Sequence, residues 1–500
     1  MNPTLPHQTS PSSSRRTFLK TSAATGAVFM LGFQAHAENL EASEMLAASD
    51  SAISDSVSEL TPFIQIDAKG VITLFNPRPD MGQGTLYSMP AILAEELCVS
   101  LNAVKIEQTR GLAKHGNQNA GGSSSVRGLW IPLRKAGAAA REMLTLAAAD
   151  VWKCAPGDCF AEQGAIIHRP SGKKLGYGEL AAKAAQMPVP KEPKLKDHTQ
   201  FTILGKPAPR PDVPSKTDGS AVFGIDVKVP NMLYASVERC PTILGAVASF
   251  DDAAAKKVKG VKHVIKCERP AFGRVHEGVA VLATSYWAAT QGRKALKITW
   301  NTKPEEIVNT DALFAQMRTH AKSSAGTDSE ASKGDFDKTF SSNAAQKGAK
   351  NLAADYETPF LAHAPLEPEN VVAHYKVDAK LGDSVEIWAP TQGAPWTIRA
   401  VARAFSLKPE NVIVNPTLLG GSFGRKGGLD DFIKEAVHIS KSAQAPVKVV
   451  WTREDDISQS PLRPGAVNSL KASLDAAGRV VALQHKVIVP SIQAQPGLIA

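Results

Sequence analysis

The sequence predicts an α+β fold, mixed α/β within its segments and divided into several domains, on three observations. At 500 residues the chain is too long for one compact core, and about three domains are expected at that length. Short β-type runs alternate with stretches of helical apolar spacing. Two proline-rich stretches, Pro188 to Pro193 and Pro207 to Pro214, interrupt that alternation and mark a boundary.

The N-terminus reads as an address. Ser14-Arg15-Arg16-Thr17-Phe18-Leu19-Lys20 precedes a weakly apolar segment, Ala23 to Phe33, and then the small-x-small site Ala35-His36-Ala37. Basic, apolar and cleavage regions in that order make a secretory signal over residues 1–37, and the paired arginines make it twin-arginine type, hence periplasmic. That route exports folded proteins, so a cofactor inserted before export is expected. Residues 38–60, rich in Ser, Ala and Glu, read as a linker.

The first domain is placed at 61–190. Phe63 to Asp67 alternates, Ala68-Lys69-Gly70 turns, and Val71 to Phe75 returns, which predicts a hairpin. A helical stretch from Ser88 to Leu97, a strand at Val104 to Glu107, a long Ala-rich helix over about Leu133 to Trp152, a hairpin near Ile166 and a helix near Glu179 complete it. A middle α/β domain is placed at 198–300. Residues 301–355 read as a linker because 321–350 are small and polar. Strands and helices alternate again over 356–500, and no tandem repeat of solenoid period is present.

Composition excludes several functions. No apolar run reaches the ~18 residues of a membrane span. The net charge of +9 is spread along the chain without a dense Lys/Arg block interleaved with aromatics, so nucleic acid is not an expected partner. Five cysteines and no C-x-x-C-H leave no room for two four-thiolate iron–sulfur clusters or a c-type haem. Any electron wiring therefore belongs to another subunit. Cys154 and Cys159 are spaced for a surface disulfide or are two unrelated thiols. The histidines show no H-x-x-x-H or H-E-x-x-H spacing, and no G-x-S-x-G elbow is present.

What remains is loops. Gly420 to Gly428 crosses from a β-type run, Asn411 to Asn415, to an amphipathic helical run, Leu429 to Ser440. Glycines there permit positive φ and close backbone approach, either for a ligand or for a simple turn. Arg425 and Lys426 would meet a phosphate or cap a carbonyl. Met81-Gly82-Gln83-Gly84 and Gly121-Gly122-Ser123-Ser124-Ser125 each come after a strand and offer N–H groups and hydroxyls as neutral donors, or are ordinary tight turns.

Met81-Gly82-Gln83-Gly84, Trp388-Ala389-Pro390-Thr391-Gln392 and Leu419-Gly420-Gly421-Ser422-Phe423-Gly424-Arg425, in that order, resemble the large molybdopterin-binding subunit of the xanthine oxidase family. Within it the chain is most similar to the isoquinoline 1-oxidoreductase β-subunit branch, which includes nicotinate and aldehyde dehydrogenases. The match runs from about residue 60 to 500, and residues 204–241 and 279–300 resemble the family's hammerhead domain. The resemblance implies molybdenum-molybdopterin, usually as the cytosine dinucleotide, bound by domains flanking the hammerhead. It also implies hydroxylation of an N-heteroaromatic ring carbon or an aldehyde with oxygen from water. Electrons would leave through a small [2Fe-2S] subunit, with a c-type cytochrome as one candidate acceptor.

By the same resemblance, Gln392 would hydrogen-bond the apical oxygen of molybdenum, the N–H groups of Gly421, Ser422 and Phe423 would approach the metal, and Gly420, Gly424 and Arg425 would also belong to the cofactor-binding set. Gly82, Gln83, Gly84, Gly122, Ser123 and Ser125 would serve the pterin and phosphates, in a permuted chain order. His363 and Glu367 would line the substrate approach or simply occupy a proline-rich surface turn. Ser422 departs from the family's third glycine. The general-base glutamate of the family, in a G-x-G-E context, is expected beyond residue 500, and no catalytic base is assigned. The C-terminal domain thus reads as incomplete. A non-catalytic remnant or periplasmic binding module, and a phosphate-binding hydrolase, are the competing readings.

Overall fold

The computed structural model describes residues 57–491 except 208–209, 211, 243–244, 272–273, 303–308, 324–325, 328 and 330–331. The signal peptide read over 1–37 and most of the linker read over 38–60 lie outside the described residues. The chain divides into two compact units. The larger takes the described residues up to 323, 353–471 and 485–491, and the smaller takes those of 324–352 and 472–484.

The first layer of the larger unit matches the hydrophobic alternation closely. Strands β1 (Val57–Thr61), β2 (Ile64–Asp67) and β3 (Ile72–Asn76) run antiparallel, with Gly70 at φ 87° in the β2–β3 turn. Helix α1 (Thr85–Leu97) then crosses over to β4 (Val104–Gln108), which pairs parallel with β3. β1 begins inside the segment read as linker, because Leu60 and Thr61 are buried and the strand has β2 to pair with.

Helix α2 (Ser125–Trp152) packs along α1 and starts earlier than its Ala-rich stretch indicates. The two helices approach closely at Gly137, where a Cβ would stand 2.7 Å from the Leu93 carbonyl. Strands β5 (Cys159–Glu162), β6 (Ala165–His168) and β7 (Lys174–Gly176) form a small sheet, after which comes α3 (Tyr177–Ala184). Buried Glu96 pairs with Arg134 at 2.7 Å and Arg141 at 3.0 Å. Its neighbour Glu95 takes Lys196 Nζ and the N–H groups of Thr202, Ile203 and Leu204, which pins the proline-rich connection onto this layer.

The second layer comprises β8 (Leu233–Arg239), β9 (Ala246–Asp251), β10 (Val261–Ala271), β11 (Arg274–Ala283), α4 (Tyr286–Lys294) and β12 (Lys297–Asn301). Helix α5 (Thr310–Lys322) is next, and α6 (Phe336–Ala344) lies in the smaller unit. After β13 (Lys350–Thr358) come β14 (Asn370–Lys376), β15 (Ser384–Ala389), α7 (Ala394–Phe405), β16 (Val412–Pro416), α8 (Asp431–Ala443), β17 (Val447–Val450) and α9 (Arg453–Gln459). Seven of these strands make one sheet in the order β10-β11-β8-β17-β14-β15-β16, parallel only at β8–β17 and β15–β16.

Two expectations change here. The middle domain placed at 198–300 contributes β8, β10 and β11 to the same sheet and apolar core as β14 to β17, so that core is shared between the two segments. The linker placed at 301–355 holds two capped helices. Asn309 accepts from Ala312 N and Asp335 from Lys338 N, and such caps start helices even in polar sequence.

Candidate functional site

The loops singled out from sequence are stitched together by main-chain hydrogen bonds. Leu419 N–H donates to the Asp80 carbonyl at 3.1 Å, joining the 420s loop to the turn after β3. Gln392 N–H donates to the Lys426 carbonyl, and Ala120 N–H donates to the Gln392 carbonyl at 2.8 Å. The Gln392 side chain, 6% exposed, completes the join: its Nε2 donates to the Ala120 carbonyl at 2.7 Å, and its Oε1 accepts from Ser422 Oγ. One amide therefore holds two glycine loops in register.

Gly82 (φ 105°), Gly122 (φ 58°) and Gly421 (φ 91°) sit in the left-handed region, and a Cβ at Gly82, Gly121 or Gly122 would meet nothing within 4 Å. Ser123 (φ 53°) and Phe423 (φ 56°) share that conformation without being glycine, which is costly for a ring-bearing residue and clusters at functional sites. The Phe423 side chain is 67% exposed. Among the described residues, the N–H groups of Gly421, Ser422, Phe423 and Gly424 find no acceptor, and the Ser123 and Ser125 hydroxyls have no partner.

Beneath the 420s loop Arg425 and Lys426 are both engaged by the protein's own acceptors. Arg425, fully buried, forks onto Asp431 at 2.7 and 3.1 Å and donates from Nε to Ser460 Oγ at 2.7 Å. Arg269 adds a second cation to Asp431 at 2.7 Å. Burial opposes the Asp431 charge, but the two guanidiniums hold its carboxyl well below the usual range. Lys426 is buried as well and donates to the Glu367 carboxylate at 2.9 Å and to its carbonyl at 3.0 Å. Glu367 also accepts from Gly420 N at 2.8 Å, Ile225 N at 3.0 Å and Asn370 Nδ2 at 3.0 Å. Gly420 fits only as glycine, since a Cβ there would lie 2.4 Å from Glu367 Cβ.

Three titratable groups nearby sit far from ordinary behaviour. Glu369 is fully buried, neither of its oxygens finds a hydrogen-bond donor among the described residues, and Arg425 Nε stands 3.5 Å off. Burial outweighs that cation, and with Asp456 beside it the acid is pushed up to about 8. Burial likewise lifts Asp430 to about 6, although Thr397 Oγ1 donates to it at 2.8 Å. His363 is lowered by burial and then by Arg425 and Arg463, both of which favour the neutral imidazole.

Comparison with known proteins places the chain in a family. Models of the molybdopterin cofactor-binding domain match residues 43–230 and 319–491, and a twin-arginine translocation pathway signal sequence matches residues 12–32. The β-subunit of isoquinoline 1-oxidoreductase of Brevundimonas diminuta is 28% identical over 89% of this chain and 61% of its own length. A membrane-bound aldehyde dehydrogenase of Gluconacetobacter polyoxogenes, named for pyrroloquinoline-quinone, is 31% identical over 95% of this chain and 60% of its own. The chain belongs to the molybdopterin-binding subunits of the xanthine oxidase family. The molybdenum-binding subunit of an aldehyde oxidoreductase of Escherichia coli (strain K12) is 24% identical over 57% of this chain and 40% of its own. This molybdopterin-binding subunit thus spans at most about three-fifths of these relatives' lengths. Among solved structures, the aldehyde oxidoreductase from Desulfovibrio gigas matches with a TM-score of 0.44 at 16% identity, covering 56% of this chain and 34% of that one.

The residues present suit a molybdopterin. No cluster of His, Cys, Asp or Glu able to hold a metal ion occurs among the described residues, whereas unsatisfied main-chain donors and free hydroxyls line the open loop faces. A cofactor whose metal is held by its own organic part needs that kind of surface. Asn119 Oδ1, buried without a partner, adds an acceptor beside Gln392.

Several expected roles shift in this molybdopterin-binding chain. Gly82, Gly122, Ser123, Ser125, Gln392, Gly421, Ser422, Phe423 and Gly424 all belong to the stitched loops. Gln83, though exposed, folds its amide back, donating to the Pro79 carbonyl and accepting from Met81 N, so the amide shapes its own turn. Gly84 lies 3.2 Å from Arg210 Nη1 by its would-be Cβ and serves as the αL residue before α1. Arg425 and Lys426 meet carboxylates, not a phosphate, and both are sealed from solvent. Glu367 is not at a substrate approach: its carboxylate is used up in holding the loop. His363 does border the loop, its Nε2 3.8 Å from a Cβ built at Gly424. Neither Glu367 nor Glu369 announces its role in the sequence, because their partners lie up to 142 residues away.

Proposed function

We propose that the chain is the cofactor-binding part of an exported molybdenum hydroxylase that oxidises an N-heteroaromatic ring carbon or an aldehyde. The observation that carries this reading is the junction of two donor-bearing loops through Gln392, with a third tied on by Leu419 N–H, and the N–H groups of Gly421 to Gly424 left without an acceptor among the described residues. When bound, the cofactor supplies two-electron oxidation of substrate carbon with oxygen from water. Gly421 to Gly424 would offer backbone donors to it, and Ser123 and Ser125 hydroxyl donors. The second Nε2 proton of Gln392 would remain for the cofactor, since the first is held by Ala120. The exposed Phe423 ring, with Leu361 and Leu366 also exposed nearby in sequence to His363, would give an apolar approach suited to a flat aromatic or small aldehyde.

The same reading assigns electron exit to a [2Fe-2S] partner subunit, with a c-type cytochrome as one candidate acceptor, the cytosine dinucleotide as the cofactor form and the periplasm as the location. It keeps molybdopterin-binding domains at 61–190 and 356–500 around a hammerhead segment at 198–300. The test is metal and nucleotide analysis of the protein purified from the exported fraction. Molybdenum and released cytidine monophosphate in equal amounts are expected; zinc, or no metal and no nucleotide, refutes the proposal.

A further inference from the structure

The paired cysteines lie outside the loop junction, at the far end of the helix that leads from it. Helix α2 begins at Ser125, against the Gly121–Ser124 loop, and ends at Trp152. Lys153 then takes a left-handed φ of 55°, and Cys154 N–H donates to the Ala149 carbonyl at 3.0 Å. A single tight turn over Pro156–Asp158 reverses the chain, and Cys159 opens β5. The two Sγ atoms stand 3.6 Å apart, in van der Waals contact, and both thiols are free.

We propose that Cys154 and Cys159 are a dithiol–disulfide site that closes when the folded protein reaches an oxidising compartment and pins the end of α2 to the β5–β6–β7 sheet. Closure to the ~2.05 Å bond needs an approach of about 1.5 Å, which side-chain rotation at a loop residue supplies. The oxidant is a disulfide, either a small molecule or a thiol oxidoreductase of that compartment. Cys154 is half-buried and can meet it, whereas Cys159 is 8% exposed and packed in the first apolar cluster. Burial and the neighbouring Cys154 push the Cys159 thiol up to about 11, so it is the poorer first nucleophile.

The Cys154 thiolate therefore attacks one sulfur of the oxidant, a mixed disulfide forms, and one oxidant thiolate departs. Cys159 gives up its proton and attacks Cys154 Sγ, and the second oxidant thiol leaves. Two electrons and two protons pass from the pair to the oxidant, which is reduced to two thiols. Cys240 and Cys267 are buried, and Cys98, half-buried like Cys154, turns its Sγ to the Glu96 carbonyl and not to a second thiol. The order of events, folding before oxidation, rests on the twin-arginine export reading; the thiol geometry does not.

The experiment is peptide mapping of the full chain, alkylated with iodoacetamide before and after reduction. Protein from the exported fraction is compared with an Arg15→Lys, Arg16→Lys form kept in the cytoplasm. A cross-linked peptide joining residues 154 and 159, two hydrogens lighter than the reduced pair, is expected in the exported protein only. Oxidised glutathione added to the folded cytoplasmic form is expected to close the same pair. Closure by glutathione, with the unaltered chain itself found only in the cytoplasm, supports the site while removing the export reading. Full alkylation of both thiols in the exported protein and after glutathione, or a cross-link from either to another cysteine, overturns the proposal. In Cys154→Ser, Cys159 is expected to stay fully alkylatable on unfolding, and a persistent cross-link at Cys159 counts against the pairing.

Discussion

Replacing Glu367 by alanine separates a substrate-contacting side chain from one that holds the loop. The carboxylate accepts four hydrogen bonds, one of them from the buried ammonium of Lys426. Its loss leaves that ammonium without its carboxylate, and two main-chain N–H groups, of Gly420 and Ile225, without acceptors. Removing one member of a buried ion pair costs about 3–5 kcal/mol, and the orphaned N–H groups keep the figure at the upper end. In urea the transition of the larger unit should move down by about 1 M or more. The assay is equilibrium unfolding of the purified protein, repeated for Lys426→Met and for the double variant. The double variant should lose about 2 kcal/mol less than the two single losses added together, because no buried charge is then left alone. An unfolding midpoint unchanged in Glu367→Ala, with only the substrate KM raised, refutes the clamp and restores the substrate role.

Other variants probe the same junction. Gly420→Ala forces a Cβ to 2.4 Å from that of Glu367, so a loss of about 1–3 kcal/mol and a lower bound pterin content are expected, measured by unfolding and by fluorescence of the released pterin. Gln392→Ala removes the amide joining Ala120 and Ser422; the fold should survive with about 1–3 kcal/mol lost, pterin content should fall, and turnover should drop by about a hundredfold or more. Glu369 reports through pH: its folded acid is pushed up to about 8 from the ordinary 4.5. The folded state therefore holds a proton that the unfolded chain releases, and its contribution is full below 4.5 and lost as pH rises towards 8. Glu369→Gln should match the parent near about pH 5 and exceed it by about 1 kcal/mol or more above about pH 8, in thermal melts across that range. Equal pH slopes for the two proteins would sink the buried-acid assignment.

Legibility tracked range along the chain. The β2–β3 hairpin, α1, β4 and the helix after the 420s loop were readable because alternation, helical spacing and turn glycines act over a few residues. The glycine loops were readable as loops from their composition, and their proposed role as ligand loops rests on motif order. The side chains around them were not, and Gln83 and Arg425 show why. Both carry the donors a cofactor would want, yet Gln83 spends its amide on Pro79 and Met81, and Arg425 spends its guanidinium on Asp431 and Ser460. The segment 301–355 misled for the opposite reason: its polar composition hid helices whose starts are set by single Asn and Asp caps.

By itself the sequence determined the export signal, the mixed α/β class and the glycine-bearing loops, since each is written in neighbouring residues. Tertiary structure alone decided that Gln392 links two loops, that Glu367 and Lys426 are a buried clamp, and that strands β8, β10 and β11 share a sheet with β14 to β17. A side chain's role depends on which partner reaches its polar atoms once water is removed, and those partners are brought together only by folding.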